Sequence, residues 1–152
     1  MEDISLIKHA EGAPGLRLFG LGGSLMPMNG LRKLQLLFNE NALWAKDRNI
    51  GQIRRMLANS NVIITLWKKS HLVGFGRATT DQVYRGVLWD VVISKDVQGI
   101  GLGKLIIEAL LTDKKMSSLE KVYLMTTNSS NFYEQLGFEI HEKQTLMMKI
   151  NK

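Results

Sequence analysis

No cysteine occurs in the 152 residues. Its absence removes disulfide scaffolds, thiolate zinc sites and cysteine nucleophiles together. No apolar run approaches the ~18 residues that a helix needs to cross a bilayer, so no transmembrane segment is expected. The chain also lacks a five-residue block of like charge, an internal repeat and a low-complexity tract. Its opening, Met1-Glu2-Asp3, has neither the basic start of a secretory signal nor the Arg/Ser-rich, acid-poor character of a transit peptide. Finally, no His, Asp and Glu fall at the spacings of a metal-ligand set, so no metal is expected.

What is present is the material of one domain over residues 1–152. The 17.2 kDa mass, 45% apolar residues and 22% charged residues are those of an ordinary globular chain with one core. Charge is the deviation: 20 Lys and Arg against 14 Asp and Glu give +6. Such a surface draws polyanions, which leaves nucleic acid, an acidic membrane or a phosphate-rich cofactor as partners that charge alone does not separate. The cations are dispersed, with short clusters at Lys68-Lys69 and Lys114-Lys115, and read first as a solvated basic surface.

Periodicity gives a coarse element order. Ile4 to Ile7 reads as a short strand, followed by a segment that Gly12, Pro14, Gly15, Gly20, Gly22, Gly23 and Pro27 prevent from forming a long helix. Leu31, Leu34 and Phe38 form one stripe of a helix to about Asn41, and Ile50, Ile53 and Leu57 mark a second. Val62 to Trp67, Leu72 to Gly76 and Val87 to Ile93 read as a three-strand antiparallel meander. An amphipathic helix with Leu102, Leu105, Ile106, Ala109 and Leu110 follows, then a strand at Lys121 to Met125, which must run parallel to the strand before the helix. Asn131 to Leu136 is a short helix ended by Gly137, and Leu146 to Ile150 reads as a last strand. The class is therefore α/β (α+β), with a mixed central sheet: a meander followed by a β-α-β-α-β half.

The informative stretch is Gln98-Gly99-Ile100-Gly101-Leu102-Gly103-Lys104, between a strand and a helix. Alternate glycines let a ligand approach the backbone, and the helix start offers free N–H groups at the positive end of the dipole. The geometry suits phosphate. It is not a P-loop, because Gln98 stands where a glycine is required and Leu105 where Ser or Thr is required. Nor is it a dinucleotide fingerprint, because Lys104 or Ile106 occupies the third glycine position.

Gln-x-x-Gly-x-Gly opening a helix after a strand resembles motif A of the Gcn5-related N-acetyltransferases (GNAT). A second match, Asn131-Phe132-Tyr133-Glu134-Gln135-Leu136-Gly137-Phe138, resembles the family's motif B. The likeness covers roughly residues 50 to 140 and implies the GNAT fold, with acetyl-coenzyme A as co-substrate. Val73 to Asp81 and Leu88 to Val92 resemble more narrowly the plastid and cyanobacterial branch, which includes serotonin (arylalkylamine) N-acetyltransferases. The resemblance implies a pyrophosphate loop at Gln98, Gly99, Ile100, Gly101, Leu102, Gly103 and Lys104, and a pantetheine-binding strand edge at Val91, Val92 and Ile93. It also implies Tyr133 as the acid that protonates the leaving thiolate. The family often has Asn seven residues before that tyrosine; Thr126 stands there, and Asn128 is the neighbour that would replace the contact.

Asp90 lies in an apolar run, where strand alternation puts it on the face of Leu88 and Val92, opposite Trp89 and Val91. Partial burial would raise its pKa toward that of a general base; alternatively it pairs with Arg77 or Arg85. Asp81 is a candidate for binding the amine, with a turn-forming role as the alternative. His71 and His141 are expected to face solvent. Trp44, Trp67, Trp89 and the methionines are expected in the core, or around an arylalkylamine. The expected activity is direct acetyl transfer to a small primary amine such as serotonin or tryptamine, with polyamine or protein lysine as other acceptors and a non-catalytic coenzyme A sensor as the other class. Neither nucleic acid nor membrane is expected as a partner, homodimerisation is left open, and the location is the cytoplasm, or the plastid stroma for a plastid-encoded chain.

Overall fold

The computed structural model describes residues 3–151. Five strands form one sheet in chain order: β1 (Ile4–Lys8), β2 (Val62–Lys68), β3 (His71–Thr80), β4 (Arg85–Ile93) and β5 (Lys121–Tyr123). Pairing is antiparallel from β1 to β4 and parallel between β4 and β5. Helices α1 (Pro14–Phe19), α2 (Gly30–Asn41) and α3 (Ile50–Ala58) lie between β1 and β2; α4 (Leu102–Thr112) and α5 (Ser130–Glu134) flank β5 in sequence. The result is the expected α+β fold.

Each helix follows from local chemistry. Proline stands in the first turn of α1, where its missing N–H is not needed. The stripe of α2 is buried at Leu31, Leu34, Leu37 and Phe38. Asn49 and Gln52 close a capping box on α3, with side chain and backbone bonded reciprocally at 2.8 and 3.1 Å. Two apolar clusters result, one on each sheet face. One joins α1, α2 and α3 to Ile63, Trp67, Phe75 and Val92; the other joins α4 to Ile64, Leu66, Ala78 and Leu88. Strand β2 is buried from Val62 to Trp67, as a strand covered on both faces must be. On the second face α4 packs close over β3, where a Cβ on Gly76 would stand 2.5 Å from Ile106 Cγ2.

Two expectations are corrected. Leu146 to Ile150 forms no strand: the residues lie exposed and pair with nothing, and a strand without a ladder partner leaves its backbone to water. Of the three tryptophans only Trp67 is buried in the core; Trp44 is exposed and Trp89 half-buried. Met116 is buried in the core, whereas Met26, Met125, Met147 and Met148 are exposed.

Candidate active site

The site begins where the sheet opens. Pairing between β4 and β5 ends at Val87 with Tyr123, whereas β4 continues to Ile93. From Leu88 onward β4 therefore has a strand neighbour only on the β3 side, and Val91, Val92 and Ile93 present an edge to the gap. Gln98 folds back there, its side-chain amide donating to the Ile93 carbonyl at 3.2 Å.

The glycine loop follows. Gly99 and Gly101 have φ of 83° and 87°, in the left-handed region, and Gly101 caps α4. No heavy atom lies within 4 Å of a Cβ built on either glycine, so the loop faces open space. The first intrahelical bond runs from Leu105 N–H to the Gly101 carbonyl at 3.2 Å, which leaves the N–H groups of Leu102, Gly103 and Lys104 without helical acceptors. Ile100 and Lys104 are exposed, with Lys104 3.7 Å from Glu108. A diphosphate fits this set: left-handed glycines, free N–H groups and a cation.

Helix α5 closes the other side. Phe132 packs against the first turn of α4, its Cζ 3.2 Å from a Cβ built on Gly103. Tyr133 stands edge-on between Phe132 and Phe138, with ring centroids at 5.0 and 5.9 Å. Burial raises its pKa above the ordinary phenol value, so the hydroxyl keeps its proton at neutral pH. Asn128 is exposed, its Oδ1 accepting from the Ser129 hydroxyl at 3.3 Å, while Thr126 Oγ1 accepts from Ser129 N–H.

Strand alternation breaks at Asp90. Phe75 pairs with Val92 and Arg77 with Trp89, so Gly76 faces both Asp90 and Val91, and Asp90 takes φ of 53°. This bulge puts Leu88 in the α4 cluster and Val92 in the opposite one. The expected alternation is thereby corrected: Asp90 shares a face with Trp89 and Val92, and Leu88 lies on the other.

On that face the Asp90 carboxylate is 4% exposed and saturated. Arg48 Nη2 donates to Oδ1 at 3.2 Å, and its Nη1 forms an ion pair with Oδ2 at 3.1 Å. Arg77 Nε donates to Oδ2 at 2.9 Å, and the Trp44 indole N–H to Oδ1 at 3.0 Å. Arg77 also reaches the buried Ser60 hydroxyl at 3.3 Å and stacks 5.7 Å from the Trp89 ring. Burial pushes the Asp90 pKa up, but hydrogen bonds and charge from Arg48 and Arg77 outweigh it, and the net direction is down. The expected upward shift toward a general base is corrected. Arg77 is the expected partner; Arg85 pairs with Glu120 instead, at 3.2 Å. Nothing in the spacing points to Arg48 or Trp44, which lie more than forty residues from Asp90 in sequence.

Asp81 sits at the far end of the β3–β4 hairpin, four strand positions beyond Arg77, roughly 13 Å at the strand rise. Its Oδ1 accepts N–H bonds from Val83, Tyr84 and Arg85 at 2.8, 2.7 and 3.1 Å. It holds the turn, and the structure does not bring it to Asp90. His71 and His141 are exposed. No three His, Asp or Glu side chains converge as a metal-binding set among the described residues.

Comparison with known proteins agrees with this geometry. Residues 59–140, more than half the chain, match the model of the acetyltransferase (GNAT) domain family. The uncharacterized N-acetyltransferase ycf52 of Pyropia yezoensis is 39% identical over 100 residues, covering 62% of this chain and 57% of that protein. The chloroplastic serotonin N-acetyltransferase 2 of Oryza sativa subsp. japonica is 34% identical over 96 residues, covering 60% of this chain and 48% of that protein. The chain thus spans about half the length of these relatives. A probable acetyltransferase from Staphylococcus aureus has the same fold at 19% identity, with a TM-score of 0.73 over 98% of this chain and 99% of its own. With its glycine loop, open strand edge and Tyr133 all inside the matched region or its fold, the chain belongs to the GNAT acetyltransferase family.

Proposed function

We propose that the protein is an acetyl-coenzyme A-dependent N-acetyltransferase acting by direct transfer on a primary arylalkylamine such as serotonin or tryptamine. The observation that carries the transferase reading is the gap between β4 and β5, bordered by a free strand edge and the left-handed glycine loop, with α5, which carries Tyr133, packed through Phe132 on the first turn of α4. Acetyl-coenzyme A, when bound, supplies the thioester whose acetyl group is transferred. The N–H groups of Gly99 to Lys104 bind its diphosphate, and the backbone of Val91, Val92 and Ile93 holds the pantetheine arm and orients the thioester carbonyl. Tyr133 Oη, kept protonated by burial, donates its proton to the departing sulfur.

Asp90 acts as a positioning anion: with its pKa held down and both oxygens engaged, it fixes Arg77, Arg48 and Trp44 beside the bulge instead of taking the amine proton. Water takes that proton. Trp44, 62% exposed yet tied to Asp90, offers an aromatic surface to an aryl acceptor. The likeness to the rice serotonin N-acetyltransferase supports the same acceptor class.

Serotonin, tryptamine, spermidine and a lysine peptide compared at equal concentration by coenzyme A release test the acceptor. Preference for spermidine or the peptide rejects the arylalkylamine and leaves the transferase. Tyr133→Phe tests catalysis: cofactor affinity stays unchanged and kcat falls roughly 10²-fold. A fully active variant removes Tyr133 from the mechanism.

A further inference from the structure

Away from this site, the outer surface of α1, α2 and α3 carries a combination of groups that the acetyl transfer does not use. From Gly12 to Asn39 the chain has no Asp or Glu, but it has Arg17, Arg32 and Lys33. An open groove of about 420 Å³ runs between the three helices, bordered by Arg17, Arg32 and Arg54 and floored by Leu31 and Ile50. None of these three arginines pairs with a carboxylate among the described residues. Arg17 donates to the Gly12 carbonyl and Arg32 to the Gln35 side chain, contacts that leave each positive charge uncompensated.

Apolar side chains stand out of this rim and of the turn whose base meets it. Leu18 and Phe19, at the end of α1, are 61% and 67% exposed. The short turn closed by the Leu21–Pro27 bridge carries Leu25 and Met26 at its tip, 72% and 61% exposed, while Pro27 and Met28 at its base line the groove. Clustered apolar tips in water are unfavourable unless a partner covers them.

We infer that this face docks on an anionic lipid bilayer, with Leu18, Phe19, Leu25 and Met26 entering the interface and Arg17, Arg32 and Arg54 meeting lipid phosphates. Charge complementarity selects an anionic partner. The apolar groups select a bilayer over an acidic peptide, because they project outward at the rim, whereas a peptide groove buries its partner's anchors inward. Neither component alone gives stable anchoring, but apolar insertion and basic attraction together do. The expectation of no membrane partner rests on the lack of a crossing segment, and among the described residues no helix is long and apolar enough to cross. Lying on a surface makes no such demand.

Co-sedimentation of the full chain with phosphatidylcholine vesicles, with and without phosphatidylglycerol, tests the inference. The protein should sediment with the anionic vesicles, not with pure phosphatidylcholine, and added salt should weaken the binding. Arg32→Gln with Arg54→Gln should lower partition roughly tenfold or more. Leu18→Ser with Phe19→Ser should do likewise. All four positions are exposed or on the rim, so circular dichroism and the thermal shift with acetyl-coenzyme A should stay as in the wild type and exclude misfolding. Absence of binding to anionic vesicles overturns the inference. Full binding by the Leu18/Phe19 variant also overturns it, since charge alone would then suffice. Capture of an acidic peptide without vesicle binding, lost in both variants, assigns the face to a protein partner instead.

Discussion

The two faces of the sheet solve different problems with different materials. The α4 face is apolar throughout: Ile64, Leu66, Ala78 and Leu88 meet Ile106, Ile107 and Leu110, and Gly76 lets the helix approach. Its polar groups without helical acceptors are the N–H groups of Leu102, Gly103 and Lys104 at the start of α4. The face under α1, α2 and α3 buries Trp67, Phe38 and Phe75, but it also encloses charged and polar groups. Asp90, Arg77, Arg48 and Ser60 form one network there, and His9 Nε2 and the Trp67 indole N–H both meet the Thr65 hydroxyl, at 2.7 and 2.9 Å. A shared cofactor can be held by backbone, which any sequence supplies. An acceptor must be selected by side chains, and these need buried partners to stay in place.

The comparison breaks most visibly at Asp90. Asp90→Ala leaves two arginines facing a half-buried site without their anion and should destabilise the protein by about 3–5 kcal/mol in urea unfolding. Ile106→Val on the opposite face should cost only about 0.5–1.5 kcal/mol. Equal losses would mean that the ionic network adds nothing beyond packing.

Acid should expose the same asymmetry. Burial lowers the His9 pKa from 6.5 to about 4, so the folded state holds the ring neutral while the unfolded state takes up a proton. Stability from this group is complete above pH 6.5 and is lost as the pH falls toward 4, by as much as about 3 kcal/mol. His9→Gln, which retains a partner for Thr65 without titrating, should flatten this limb in denaturation curves taken across that range. An unchanged acid limb would place the sensitivity elsewhere.

On the backbone-built side, acetyl-coenzyme A at 100-fold its Kd should stabilise the wild type by about 2.7 kcal/mol, read as a rise in Tm. Gly101→Val should abolish that rise, because φ of 87° is strained for a branched residue and its side chain fills the space the diphosphate needs. A retained shift would remove the glycine loop from cofactor binding. The smallest effect belongs to Asp81: Asp81→Asn should loosen the β3–β4 turn and leave KM for the amine unchanged. A raised KM would return Asp81 to the acceptor site.

Much of this architecture was legible in the chain, and the exceptions share a cause. Helices α2, α3 and α4 and strands β2 to β4 show their periodicity because each buries one stripe or both faces. The glycine loop was legible because its chemistry is local: spacing within seven residues, at a helix start, is enough. Simple alternation places Asp90 with Leu88, whereas one extra residue opposite Gly76 shifts it to the other face, and nothing in Leu88 to Val92 marks the bulge. Arg48, and the bond from Trp44 to Asp90, are not legible in the sequence because a side chain in a connection is ordinary until a strand remote in sequence brings a carboxylate to it. The buried setting of His9 has the same origin: its partner, Thr65, lies 56 residues away.

By itself, then, the sequence determined what depends on neighbours along the chain: helices α2 to α4, strands β2 to β4 and the glycine loop at the start of α4. These are set by repeat, capping and turn chemistry, whose range is a few residues. Only the tertiary structure decided which face Asp90 occupies, that two arginines and an indole N–H fix it as an anion, that Asp81 holds a turn, and that Arg17, Arg32 and Arg54 border one groove with Leu18 and Phe19. Those outcomes depend on strand register and helix packing, which bring distant residues within hydrogen-bonding range and thereby set their charge and their partners.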